Sequence, residues 1–167
     1  MNLFVRLLLV LLRARRYRQG EFPPFAEARL GWRVLPTDLD LNLHMNNARY
    51  LSLMDLGRVD LLSRYGLLRL AFRAHWLPVL GAVTIRFFRP LRPWQRYDLV
   101  TRVAGWDEKW FYLEQRFESE GKLVARAMVK ALVRGPDGSI PTGTLLAQLG
   151  IAEASPPLPP EVAHLPG

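Results

Sequence analysis

Apolar positions along the chain fall into two periods. Leu51, Leu53, Met54, Leu56, Val59, Leu61 and Leu62 recur at helical spacing and predict one long helix from about Asn47 to Tyr65, with Gly66 placed to end it. On either side the period drops to two. Residues 26–36 predict a first strand, in which Leu30, Trp32 and Val34 alternate with Gly31 and Arg33. After Pro78 the alternation returns four times, over Val79–Arg89, Tyr97–Trp106, Trp110–Ser119 and Lys122–Arg134. Glu120-Gly121 reads as a hairpin turn, and Gly135-Pro136-Asp137-Gly138 as the stop after the last strand. Leu67 to His75 is a basic, leucine-rich connector with room for a short second helix. Strand, loop, long helix and then four consecutive antiparallel strands define an α+β order. One helix on one curved sheet leaves apolar edges and faces uncovered, so a homodimer or dimer of dimers is expected.

The two ends read differently from this centre. Residues 1–20 hold an apolar run from Leu3 to Leu12, interrupted by Arg6 and followed by Arg13, Arg15, Arg16 and Arg18. The run is too short to span a bilayer. Its charge follows the apolar stretch with no cleavage site in view, the reverse of a secretory signal. Two readings stay open: an interfacial helix meeting an anionic membrane surface, or a helix packed on its own domain or on a dimer partner. The other end, residues 151–167, is proline-rich and is expected to extend without a core of its own. This divides the chain into a basic apolar segment (1–20), a folded domain (21–150) and a tail (151–167).

Charge changes the picture only at the N-terminus. The formal charge is +8, but residues 1–20 supply five arginines and no acid, leaving the remaining 147 residues with 18 basic and 15 acidic side chains. The domain itself therefore has no basic excess suited to nucleic acid, and no nucleic-acid partner is expected. The chain has no cysteine, which excludes disulfides, thiolate metal sites and cysteine nucleophiles. His44, His75 and His164 lie far apart with no metal-ligand spacing, so neither metal nor cofactor is expected. The expected location is cytoplasmic, peripheral at the membrane if the segment meets lipid.

Candidate chemistry collects in one place. Asp38 to Asn47 packs two carboxylates, one imidazole and three carboxamides into ten residues directly before the long helix. Asn46 or Asn47 is placed to cap that helix. The free N–H groups of the helix start, with the positive end of its dipole, favour negative charge beside them. A developing oxyanion is one such charge. The same residues also suit a purely structural capping loop.

The order of elements together with this loop resembles the hotdog fold of acyl-CoA thioesterases, in the 4-hydroxybenzoyl-CoA thioesterase-like group. The family pattern Asp-x-Asp-x-x-Gly-His-Val-Asn-Asn-x-x-Tyr, then an acid and an arginine, stands here as Asp38-Leu39-Asp40-Leu41-Asn42-Leu43-His44-Met45-Asn46-Asn47-Ala48-Arg49-Tyr50, then Asp55 and Arg58. Residues 28–134 carry the likeness. Leu43–Leu51, Gly66–Arg69 and Gly105–Asp107 bring it nearest the FadM-type and thioesterase superfamily member six branch. The chain departs from the pattern at Leu43, where the family has glycine.

The resemblance implies one long helix wrapped by a curved, mostly antiparallel five-stranded sheet. It implies hydrolysis of a medium- to long-chain fatty acyl-CoA, with Asp40 as general base or as a nucleophile forming an anhydride. Helix N–H groups near Asn46 to Ala48 would polarise the thioester carbonyl, while His44 and Asn46 orient carboxylate, water or thioester. Asn47, Ala48, Tyr50, Arg89 and Arg92 are the expected substrate contacts. Arg86, Arg89 and Arg92 either meet coenzyme A phosphates or form a solvated strand face. Asp38 is expected to brace the loop, and Asp55 with Arg58 to form a helix-surface ion pair. The alternative function is a non-catalytic acyl-binding or membrane-associated hotdog scaffold.

Overall fold

The computed structural model describes residues 3–17 and 21–165, so Arg18 of the basic cluster lies outside the described residues. The elements in chain order are α1 (Leu3–Ala14), β1 (Ala28–Arg33), α2 (Asn47–Arg64), α3 (Leu67–Ala74), β2 (Leu77–Phe87), β3 (Arg96–Trp106), β4 (Phe111–Ser119), β5 (Lys122–Gly135), β6 (Gly138–Ile140) and α4 (Thr142–Leu149). α2 forms where the helical spacing lies. Its inward residues Leu53, Met54 and Leu61 are buried against Leu99, Phe117 and Val129 of the sheet. Gly66, at φ +76°, ends it in the left-handed conformation that glycine adopts without strain and also opens α3. Gly57 lets α2 lie close on the sheet. A Cβ there would stand 2.6 Å from Thr101 Oγ1 and 2.9 Å from both Gln115 Nε2 and Leu99 Cδ2.

The sheet is the curved antiparallel half-barrel of a hotdog fold, in the order β1-β3-β4-β5-β2, with the short β6 added beside β5. The five long strands match the alternating segments of the sequence. The pairing differs in one respect: β2 does not pair with β3, its neighbour in sequence, but runs antiparallel to β5 at the far edge. The Pro90–Pro93 turn is the reason. It is not a hairpin, because after β2 the Phe88 and Arg89 N–H groups both donate to Val124 O. The chain then crosses beneath the start of α2 with Leu91 fully buried. β6 and α4 are not visible in the sequence pattern. Thr142 docks α4 by donating its hydroxyl to Asp107 O at 2.5 Å.

The ends pack on the domain. The inner face of α1 joins the main core through Leu3, Leu7 and Val10. The tail crosses the outer face of the sheet. Ser155 Oγ accepts from Trp106 N at 2.8 Å, Arg126 pairs with Glu161 at 2.9 Å, and Leu165 is buried with Ala104, Tyr112 and Met128.

Candidate active site

The loop between β1 and α2 is a small closed hairpin. A turn of 3-10 helix, Pro36–Asp38, leads into it. Its neck is closed by Asn46 N donating to Asp38 O at 2.8 Å, by a bridge between Leu39 and Met45, and by Asp40 N donating to His44 O at 2.9 Å. At the tip, Leu43 N donates back to Asp40 O at 3.1 Å, with Leu43 itself at φ +56°. Here lies the reason for a family glycine. The tip needs the left-handed conformation, and this chain supplies it with a leucine held on the surface.

Asp38 braces the loop from below through its side chain and its carbonyl. Its carboxylate is 1% exposed and accepts Leu35 N at 3.0 Å. It is gripped by the Arg6 guanidinium of α1, with Nη1 to Oδ1 at 3.1 Å and Nη2 to Oδ2 at 2.6 Å. Arg49 adds a bond to Thr37 O at 2.8 Å. The fork from Arg6 joins residues 32 apart in sequence, and no local pattern signals it.

Asp40 is half-buried, and its Oδ1 accepts two loop N–H groups, Asn42 at 2.9 Å and His44 at 3.3 Å. His44 is half-buried beside it. Asn46 is the N-cap of α2, its Oδ1 accepting Ala48 N at 2.8 Å. That bond narrows the expected oxyanion donors. Asn46 N is taken by Asp38 O and Ala48 N by the cap, whereas Asn47 N, at the first helical position, has no acceptor among the described residues.

The remaining expected contacts fall into two groups. Met45 N donates to Leu91 O at 2.9 Å, which sets the turn carrying Arg89 and Arg92 beside the loop. Both arginines are exposed, and neither is in an ion pair among the described residues. Tyr50 is 2% exposed. Its ring packs edge-on against Phe87 at 5.0 Å and Phe117 at 4.8 Å. Burial pushes this phenol up to about 12. Tyr50, one of the expected substrate contacts, sits in the core at the helix entrance.

Farther along α2 lies an apolar cavity of about 370 Å³, walled by α2, the sheet and α4, with Val59, Tyr65, Val79, Val103, Leu113 and Leu149 among its lining. Among the described residues, the only charged side chains bordering it are Asp55 and Arg58, which form the expected ion pair. Arg58 also donates to Gln115 Oε1 at 2.8 Å, and the fully buried Gln115 donates in turn to Met54 O and Thr101 Oγ1, both at 3.0 Å. Gln115 is missed by sequence reasoning. Its signal was available: one amide in the otherwise apolar row Phe111, Leu113, Gln115, Phe117.

A helix-wrapping sheet, with a polar loop closed over the helix start and an apolar cavity under it, defines the hotdog class. The chain belongs to the thioesterase-like superfamily, whose family model matches residues 34–165. It is similar to the protein THEM6 of Danio rerio, 46% identical over 95 residues, covering 57% of this chain and 47% of that protein. The chain thus spans about half the length of curated relatives it matches. Among solved structures, the probable thioesterase YbaW of Escherichia coli superposes with a TM-score of 0.68 at 20% identity, covering 74% of this chain and 96% of that one. A Staphylococcus aureus protein solved in complex with CoA superposes at 0.66 and 15% identity, covering 89% and 99%.

Proposed function

We propose that this chain is an acyl-CoA thioesterase that hydrolyses medium- to long-chain fatty acyl-CoA to free fatty acid and coenzyme A. One observation carries the reading: the loop that fixes the Asp40 carboxylate also caps α2 and leaves the Asn47 N–H unclaimed among the described residues. A carboxylate and an N-terminal helix amide side by side suit attack on a carbonyl whose oxygen gathers charge.

With Oδ1 held by the loop, Oδ2 is the oxygen available for chemistry. Acting as base, it takes a proton from water as the water oxygen bonds to the thioester carbon. The tetrahedral intermediate then collapses, the C–S bond breaks, and the coenzyme A thiolate leaves and is protonated. Acting as nucleophile, Asp40 itself bonds to that carbon, expels the thiolate and forms an anhydride that water opens. In both routes the Asn47 N–H faces the oxyanion, and His44 and Asn46 hold the geometry. Arg89 and Arg92, with no acidic partner among the described residues, suit coenzyme A phosphates. The related fold solved with CoA supports a CoA ester as the substrate.

The acyl chain follows the helix. Leu51, Asp55, Arg58 and Leu62 form a stripe at helical spacing from the start of α2 to the cavity. Asp55 stands eight residues beyond Asn47, about 12 Å along the axis. Short acyl groups end before the cavity and long ones fill it. A homodimer fits the same picture. β2 is an eleven-residue edge strand with Leu77, Leu80 and Phe87 exposed, which a second copy would cover.

The test is thiol release from acyl-CoAs of increasing chain length. Turnover is expected to rise with length in the wild type, and Leu149→Trp, which fills the cavity, is expected to shift the optimum to shorter chains. Acyl-CoA binding with no turnover at any length would leave the non-catalytic scaffold instead.

A further inference from the structure

Helix α1 is apolar on both faces. Its inner face, Leu3, Arg6, Leu7, Val10 and Ala14, rests on the domain, and the charged Arg6 is only 1% exposed. Its outer face shows Phe4, Val5, Leu8, Leu9, Leu11 and Leu12, with Phe4 at 75% exposure. A helix with water on its outer side carries its polar residues there and its apolar stripe inward. This one has an apolar stripe inward but carries apolar residues on its outer side as well, so its outer surface is matched to something apolar.

A second helix extends the same surface. α3 exposes Phe72 to 78%. Arg69 and Arg73, either side of it, are exposed as well. Leu11, Ala14 and Arg15 from the end of α1 border one groove with Leu68, Arg69 and Phe72 of α3. Arg13, Arg15 and Arg16 follow the apolar face of α1, and among the described residues none of these five arginines is ion-paired.

We propose that the α1–α3 face docks on an anionic lipid bilayer, the apolar side chains entering the acyl boundary and the arginines meeting the headgroups. Charge decides the occupant. Residues 1–20 contain no acid, so a second copy laid on this face would oppose arginine to arginine, whereas anionic headgroups neutralise both rows. α1 has 12 residues, about 18 Å of helix, so it lies in the membrane plane. Among the described residues no helix is long and apolar enough to cross a membrane.

The helix is pinned while it docks. Arg6 holds Asp38 at one end. At the other, Tyr17 donates to Asp60 at 2.6 Å and accepts from Arg64 at 3.0 Å. The whole domain is therefore carried to the bilayer rather than hung from a loose segment. Leu68 borders both the α1–α3 groove and the apolar cavity, so the docked face adjoins the proposed acyl site. Docking is a binding property and stands or falls separately from turnover.

The test is co-sedimentation of the full chain with phosphatidylcholine vesicles containing or lacking phosphatidylserine, with oligomeric state followed in parallel. Wild type is expected to pellet with the anionic vesicles, and this binding is expected to weaken about tenfold or more as salt is raised. Leu8→Glu/Leu12→Glu is expected to abolish it without changing the oligomeric state. Arg15→Glu/Arg16→Glu, on exposed positions, is expected to abolish the phosphatidylserine dependence with an unchanged melting temperature, and decides the matter if the leucine variant fails to fold. Equal binding by wild type and the folded variants would overturn the proposal. So would no vesicle binding by wild type, together with loss of a dimer in Leu8→Glu/Leu12→Glu, an outcome that assigns the face to a second copy.

Discussion

At Leu43 the chain keeps a backbone conformation that favours glycine. With φ at +56°, its Cβ crowds the carbonyl oxygen of the tip, at a cost of about 1 kcal/mol. The side chain is exposed and offers no packing in return. Leu43→Gly is therefore expected to raise stability by about 0.5 kcal/mol, part of the relieved strain being offset by the greater freedom of glycine in the unfolded chain. Leu43→Val, β-branched at the same φ, is expected to lower it by about 1 kcal/mol. Urea denaturation midpoints in the order Gly, Leu, Val would bear this out. Much of the site was legible at this scale. The polar run from Asp38 to Asn47, the cap at Asn46 and the stop at Gly66 depend on neighbours within a few residues. Tyr50 was less so, because its burial is set by Phe87 and Phe117 on distant strands.

Helix α2 joins fold and chemistry at the scale of the element. Its first position is occupied by Asn47, whose N–H has no acceptor among the described residues. Proline is well tolerated there, since it removes only an N–H that the helix does not use. The preceding Asn46, at φ −60° and ψ 135°, already has the extended backbone that a following proline requires. Asn47→Pro is thus expected to melt within a degree or two of the wild type, while kcat falls about a hundredfold if this N–H holds the oxyanion. The strand order was the part of the fold least visible in sequence. Alternation reports which residues share a face, but the partner of β2 is decided by the buried crossing of Leu91 and by pairing with β5, 38 or more residues away. The Arg6–Asp38 fork and the Gln115 network were hidden for the same reason. Each joins residues far apart in sequence, so its partners cannot be read from neighbours.

Across the whole molecule, the outer face of the sheet is held by a charge cluster that should show in acid. Glu114, 3% exposed, accepts from Arg102 at 2.6 Å, Arg116 at 3.0 Å and Arg126 at 2.6 Å. Arg116 and Arg126 face each other across β4 and β5 and would repel without it. Burial opposes the Glu114 charge, but the bonds and charges of Arg102 and Arg126 outweigh it and hold the carboxyl below its ordinary value of 4.5. A depressed carboxylate adds stability that is complete above its unfolded value and disappears as pH falls through the folded one. Glu114→Gln is expected to cost about 2 kcal/mol near neutral pH. The gap to wild type should close as pH drops below about 4 in thermal melts.

The central claim concerns one carboxylate: Asp40, fixed by the loop that caps α2, carries out thioester hydrolysis. The direct measurement is free-thiol release from a long-chain acyl-CoA by wild type and Asp40→Asn, with both shown to be folded by circular dichroism. The account predicts hydrolysis by wild type and a fall of about a thousandfold in the variant. Equal rates in the two proteins would contradict it and move the chemistry to His44 or Asp55.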